Sequence, residues 1–137
     1  MTLSNDIKAA LEADLTLAAL LTGGIHNNIE EISRYNPAAA FDATTKEIKP
    51  CALIKVPNEV PTGPYLTSVR TSFMVYFYQR EGYSVIEPAM QRVFADLNEQ
   101  RIGAIWNIEY VSGVYQQRDQ ALDCPLGSLR FAAVRRL

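Results

Sequence analysis

A single histidine, two distant cysteines and a few carboxylate pairs are the side chains in this sequence that chemistry could use. His26 lies beside Asn27 and Asn28, just past an apolar helical stretch. Acid–base or nucleophilic catalysis needs a partner within hydrogen-bond reach, and no base–nucleophile pair is identifiable around it. His26 therefore reads as a loop or cap residue. Cys51 and Cys124 form neither a CxxC pair nor a disulfide framework, as expected of a reducing compartment. Cys51 opens an apolar strand and reads as a small core residue. Cys124, beside Pro125, reads as a loop or strand-edge thiol, and neither has the cationic neighbours that would lower its pKa. With His26 they lack the ligand-pair spacing of zinc. No catalytic residue, cofactor site or metal ligand is assigned.

Two further patterns fail on context. Gly23-Gly24 follows a helix rather than a strand, and no Lys-Ser/Thr comes after it, so it is not a phosphate loop. Glu30-Glu31 and Asp119/Asp123 read as solvated loop charges. The run Tyr76-Phe77-Tyr78 resembles the base-stacking aromatics of RNA-binding sheets. Only Arg70 and Arg80 lie nearby, however, so a packing or interface role is favoured.

The elements that must position these residues come next. The 137 residues fit one domain, 1–137, with one core. With 48% hydrophobic and 20% charged residues the chain is ordinary globular protein. A net charge of −2 argues against a sequence-specific nucleic-acid reader. No apolar run reaches bilayer length, and the first residues carry no secretory pattern.

Ser4 reads as an N-cap, and Ile7, Leu11, Leu15, Ala18 and Leu21 make an apolar stripe, giving a helix over 4–22 that Gly23-Gly24 ends. Residues 25–50 have no sustained period and read as a long loop. Cys51–Val56 reads as a strand, and 57–67, with three prolines, as a hairpin connection. Residues 68–78 alternate cleanly, with Val69, Thr71, Phe73, Val75 and Phe77 on one face and Arg70, Ser72, Met74, Tyr76 and Tyr78 on the other. Ser84-Val-Ile-Glu87 is a capping box opening a helix over 85–98, with Pro88 in its first turn. Strands follow at 105–111 and 128–135. The expected fold class is α+β: a two-layer αββαββ chain, with a four-stranded, mainly antiparallel sheet and both helices on one face.

Two helices cover one sheet face, and the other carries large amphipathic side chains. Tyr, Met and Arg are enriched at protein interfaces, so Arg70, Met74, Tyr76 and Tyr78, with Trp106 and Tyr110 of the next strand, are the candidate interface. The alternative is that the 25–50 loop folds back over this face.

The whole chain resembles a known family. A Leu/Ala-rich helix ends in Leu-Leu-Thr-Gly-Gly-Ile25. A loop leads to Pro50-Cys-Ala-Leu-Ile-Lys-Val, then to Ser72-Phe-Met-Val-Tyr-Phe-Tyr, a helix over 85–97, a Trp-bearing strand and a closing Leu-Arg-Phe strand. This order is similar to that of the tail terminator (tail completion, or minor tail) proteins of long-tailed bacteriophages and gene-transfer particles. The resemblance implies a non-enzymatic virion protein, assembled in the host cytoplasm. It would form a homo-oligomeric ring, typically a hexamer, seated on the tail tube protein and offering a surface to the head-side connector or neck. Double-stranded DNA would pass through without sequence-specific binding, and no cofactor or membrane is involved. Other expectations are a different head-closure or neck subunit, or a ferredoxin-like ligand-binding domain or enzyme, whose βαββαβ order is close to a circular rearrangement of this one.

Overall fold

A computed structural model describes residues 2–27, 40–42, 47–61, 68–103, 105–120 and 124–136. The chain is α+β, with the helices α1 (Thr2–Glu12), α2 (Leu15–Leu20) and α3 (Ile86–Leu97). Its strands are β1 (Ile25–His26), β2 (Cys51–Pro61), β3 (Ser68–Tyr78), β4 (Ile105–Asp119) and β5 (Cys124–Arg136). The sheet has five strands in the order β1-β2-β3-β5-β4. The short β1 runs parallel to β2, and the other neighbours are antiparallel. The expected four-stranded antiparallel sheet is thus corrected to a mixed five-stranded one. Both β3 and β4 are antiparallel to β5, so they run parallel to each other, with α3 as their crossover and β5 inserted between them.

The helical layer forms on one face, as the apolar stripes require. Leu3, Ile7 and Leu11 of α1, Leu17 of α2 and Ile86, Met90, Val93 and Leu97 of α3 share one core with the inward row of the sheet. That row follows the register: Ala52 opposite Phe77, Ile54 opposite Val75, and Phe73 opposite Phe131.

The expected single helix over 4–22 is two. Asp14 caps α2 by accepting hydrogen bonds from the backbone N–H groups of Thr16 and Leu17, and this N-cap breaks the helix. The break re-phases the stripe. Leu15 is 82% exposed, Ala18 is exposed too, and Leu17 takes the inward position. Ser4 is not the cap, because α1 already begins at Thr2.

The Ser84 capping box also does not form. The N-cap of α3 is Val85, with no side-chain hydrogen bond of its own. Gln79, at the end of β3, serves instead. Its Oε1 accepts from the N–H groups of Val85 (2.9 Å) and Ile86 (3.2 Å), while its Nε2 donates to Ser84 Oγ and the Glu81 carbonyl. One long-range amide thus satisfies two orphan donors of the helix. Gln79→Ala is expected to cost about 1 kcal/mol in a urea melt, as removal of a helix cap does. Ser84→Ala should cost a smaller fraction.

Three strands exceed their expected lengths. Residues 57–61, expected as connection, continue β2, with a register shift between Lys55 and Asn58 that places Pro57 where the ladder is already interrupted. Residues 62–67, the rest of that connection, lie outside the described residues. β4 runs to Asp119 rather than 111, and β5 begins at Cys124 rather than 128. Three register shifts let the two remain paired.

Candidate functional site

The chemically interesting side chains are structural. His26 is buried in β1, and its Nε2 lies 2.7 Å from the Gly23 carbonyl, which can only accept, so Nε2 carries the proton. Gly23 approaches the chain ahead of β2 closely: its N–H donates to the Pro50 carbonyl at 2.7 Å, and a Cβ there would sit 2.9 Å from that oxygen. Cys51 and Cys124 are free and buried. Burial, and then the neighbouring Cys124, push the Cys51 thiol up to about 12, which removes the thiolate a nucleophile needs. Among the described residues no group of three or more His, Cys, Asp or Glu is placed to hold a metal ion. No described helix is long and apolar enough to cross a membrane.

Two surface clefts are lined by ion pairs. One holds Asp42, Glu47, Arg80 and Glu81, with Arg80 and Glu47 paired at 3.0 Å. The other holds Asp14, Arg92 and Asp96, where the α1–α2 turn meets α3. The Arg92 guanidinium, with help from Asp96 and the α2 backbone, holds the Asp14 carboxyl well below the usual carboxylate range. Burial, and then Asp14, hold the Asp96 carboxyl up to about 6.

The six residues expected at an interface divide into separate groups. Arg70 is exposed on the sheet face opposite the helices. Met74 and Tyr76 follow on that face, half-buried, with the Tyr76 hydroxyl donating to Met74 Sδ at 3.2 Å. Tyr78 is buried. Ala40, Phe41 and Ile48 pack with it, together with Cys51, Leu53 and Cys124, while residues 28–39 and 43–46 of the expected loop lie outside the described residues. Phe41 and Ile48 are held by an antiparallel bridge. The loop alternative therefore holds at this end of the face, and burial raises the Tyr78 hydroxyl pKa, with Asp119 adding to it. Tyr110 lies on the helical side, edge-on to Phe94 of α3 at 5.1 Å and to Phe131 at 5.9 Å. Trp106 is in β4, but its side chain lies outside the described residues.

Sequence reasoning missed the residues beside Tyr110. Val111, Val114 and Tyr115 of β4 and Phe94 of α3 are 38–47% exposed. Among the described residues β5 is the only named strand beside β4, and residues 98–102 occupy the start of its outer edge: Ile105 N–H donates to the Ile102 carbonyl, the Ile108 carbonyl accepts from Glu99 N–H, and Tyr110 N–H donates to Asn98 Oδ1. Beyond Tyr110 no described strand pairs with that edge. An open edge is a template for another chain, and apolar side chains along it make pairing more favourable. Tyr110 and Tyr115 are hydrogen-bonded, and the Tyr110 hydroxyl would meet a Cβ at Gly113 at 2.7 Å. The signal in sequence was Val114-Tyr115, with no turn residue between Gly113 and Asp119.

No family model and no curated protein sequence matches the chain. A solved structure does. Its title is "Virion of native gene transfer agent (GTA) particle"; the match has a TM-score of 0.70 at 15% identity and covers 98% of this chain and 95% of that one. The two chains share a fold. The likeness runs the length of both, so the virion chain has the same arrangement of helical layer and sheet rather than a common fragment.

Proposed function

We propose that this chain is a structural virion protein of a tail terminator type, acting as one domain. Copies form a ring, a hexamer by the family resemblance, that ends the tail tube. The ring joins the tube to the head-side connector and lets double-stranded DNA pass. The end-to-end fold likeness to a component of a gene transfer agent virion carries this reading. The stretch of β4 beyond Tyr110, with Val111, Val114 and Tyr115 exposed, supports it, because a subunit that works by association needs a surface that pairs readily. We assign subunit contact to this edge, with Phe94, Tyr110 and Tyr115 beside it. Arg70, Met74 and Tyr76 remain interface residues of the opposite face. The same fold likeness suits another neck or head-closure subunit. A ligand-binding or enzymatic role has less support, since the described clefts are lined by paired charges rather than by convergent polar groups on an apolar floor.

Sedimentation and negative-stain imaging test the reading. Wild-type protein at tens of micromolar is expected to give ring-shaped particles of several subunits. Tyr115→Asp is expected to give monomers with an unchanged circular dichroism spectrum, because Tyr115 is 47% exposed. A wild type that stays monomeric, alone and on tails lacking a terminator, would sink the proposal.

A further inference from the structure

We infer that the sheet face opposite the helices binds the phosphates of double-stranded DNA, through Lys55, Arg70 and Arg130. This rests on the ring reading for the presence of the DNA, and on the geometry for the face.

Register places the three cations on one surface. Lys55 of β2 stands opposite Met74 of β3, which stands opposite Arg130 of β5. Arg70 lies four residues back along β3, on the same side as Met74. All three are exposed. Among the described residues, no carboxylate pairs with any of them. Between them lie Ser72 and Met74, both half-buried, and the small Ala132, with Tyr76 just beyond Met74 and bonded to it. The floor is therefore low, and the cations project from it. One carboxylate shares this part of the face: Glu109 of β4, opposite Ala132, which accepts from Asn107.

The two layers differ in charge. Helices α1 and α3 and the α1–α2 turn carry Asp6, Glu12, Asp14, Glu87 and Asp96 against Lys8 and Arg92. Among the described residues, a chain that is acidic overall thus sets its three unpaired sheet cations on the face away from the acidic helices, and this asymmetry favours a polyanion for that side.

Spacing favours nucleic acid over an acidic protein. Two interstrand steps set Lys55 and Arg130 about 10 Å apart, and four residues set Arg70 about 13 Å along the strand. A duplex presents about eight phosphate charges over ~13 Å of its axis, a density that folded protein surfaces avoid through self-repulsion. The Tyr76 hydroxyl is engaged and its ring half-buried, so the face offers no stacking platform for single strands. Binding is to the backbone and independent of sequence.

The test is binding of a mixed-sequence DNA duplex by the full-length protein, with the salt dependence measured. Three contacts give a slope of log K against log salt near −2.7. Affinity should therefore fall about 40-fold between 50 and 200 mM salt. The double variant Lys55→Gln/Arg130→Gln, checked for folding by circular dichroism, should lose most duplex binding, with the salt slope falling to near −0.9, and still form rings. Rings that bind duplex as well as wild type would overturn the assignment and leave the ring reading intact. Duplex binding by a wild type that never forms rings would support the assignment and defeat the ring reading. Polyglutamate held as tightly as the duplex would overturn the assignment in favour of an acidic protein partner.

Discussion

Phe131→Ala is expected to lower the unfolding free energy by about 4 kcal/mol, near the upper end for truncating a buried aromatic. Phe131 is fully buried at the middle of β5, the strand held between β3 and β4. Its ring stacks on Phe73 at 5.4 Å and meets Tyr110 edge-on at 5.9 Å. Truncation removes apolar burial, leaves a cavity that β-sheet neighbours cannot readily fill, and breaks two aromatic contacts of about 0.5–1.5 kcal/mol each. For a domain whose whole stability is about 5–15 kcal/mol, this is a large share. Because Tyr110 backs Phe94, and Tyr115 is bonded to Tyr110, the variant should also lose self-association at temperatures where it remains folded. Urea unfolding and sedimentation check the two effects. Phe131→Leu should recover most of the stability but little of the association. A loss under about 1.5 kcal/mol for the alanine variant would show that the core does not depend on this row.

Asp14→Ala and Asp96→Asn are expected to move stability in opposite directions at pH 7. Asp14 caps α2 and pairs with Arg92 of α3, so its removal should cost about 2 kcal/mol, at the upper end for a cap. Asp96 lies one turn beyond Arg92 on α3, and its Oδ2 is buried with no hydrogen bond. When protonated, Asp96 donates to the Asp14 carboxylate; when ionised, it sets a second negative charge against it. Arg92 is the cation that faces the pair.

The signs follow from linkage. The depressed Asp14 stabilises the fold above the unfolded carboxylate value near 3.9, and that contribution disappears as pH falls below it. The raised Asp96 stabilises the fold while protonated. That contribution is complete below about 3.9 and is lost as pH rises through about 6. Wild-type stability at this junction therefore peaks near pH 4 and falls from there toward pH 6, as both windows require. Asp96→Asn keeps the donor and drops the charge. It should gain about 1 kcal/mol at pH 7, after allowing for solvent screening in an open cleft, and nothing at pH 4. Denaturant melts across pH 4 to 8 decide this, and an unchanged slope in Asp96→Asn would refute the coupling.

Legibility in the sequence followed the strength of local signals. Strand β3 occupies the expected 68–78, because an alternating row in the middle of a sheet meets apolar neighbours along its length. Helix α3, 86–97 against an expected 85–98, was nearly as clear. The break at Asp14 was missed because a heptad-like stripe runs through it; Asp14 followed by Thr16 was the available cue. The extension of β4 was missed because Ser112–Asp119 is polar in composition, and only pairing with β5 makes it a strand. The candidate site suffered most. Which strand lies at the edge depends on β5 inserting between β3 and β4, a tertiary fact with no local signature. Burial of Tyr78 likewise depends on Phe41 and Ile48 returning from a segment without any periodicity.

The two buried thiols give that covering segment a clock. Cys51 and Cys124 lie in the small cluster beneath Phe41 and Ile48, on the far side of the sheet from the helical core. A thiol-directed reagent is expected to meet neither until Phe41 and Ile48 lift from them. Its rate of reaction therefore counts openings of one edge of the molecule while the helical layer stays shut. Local opening of this kind proceeds with its own free energy, below that of global unfolding. The native cysteines make it measurable without an introduced label, in the free subunit and in any assembly it enters.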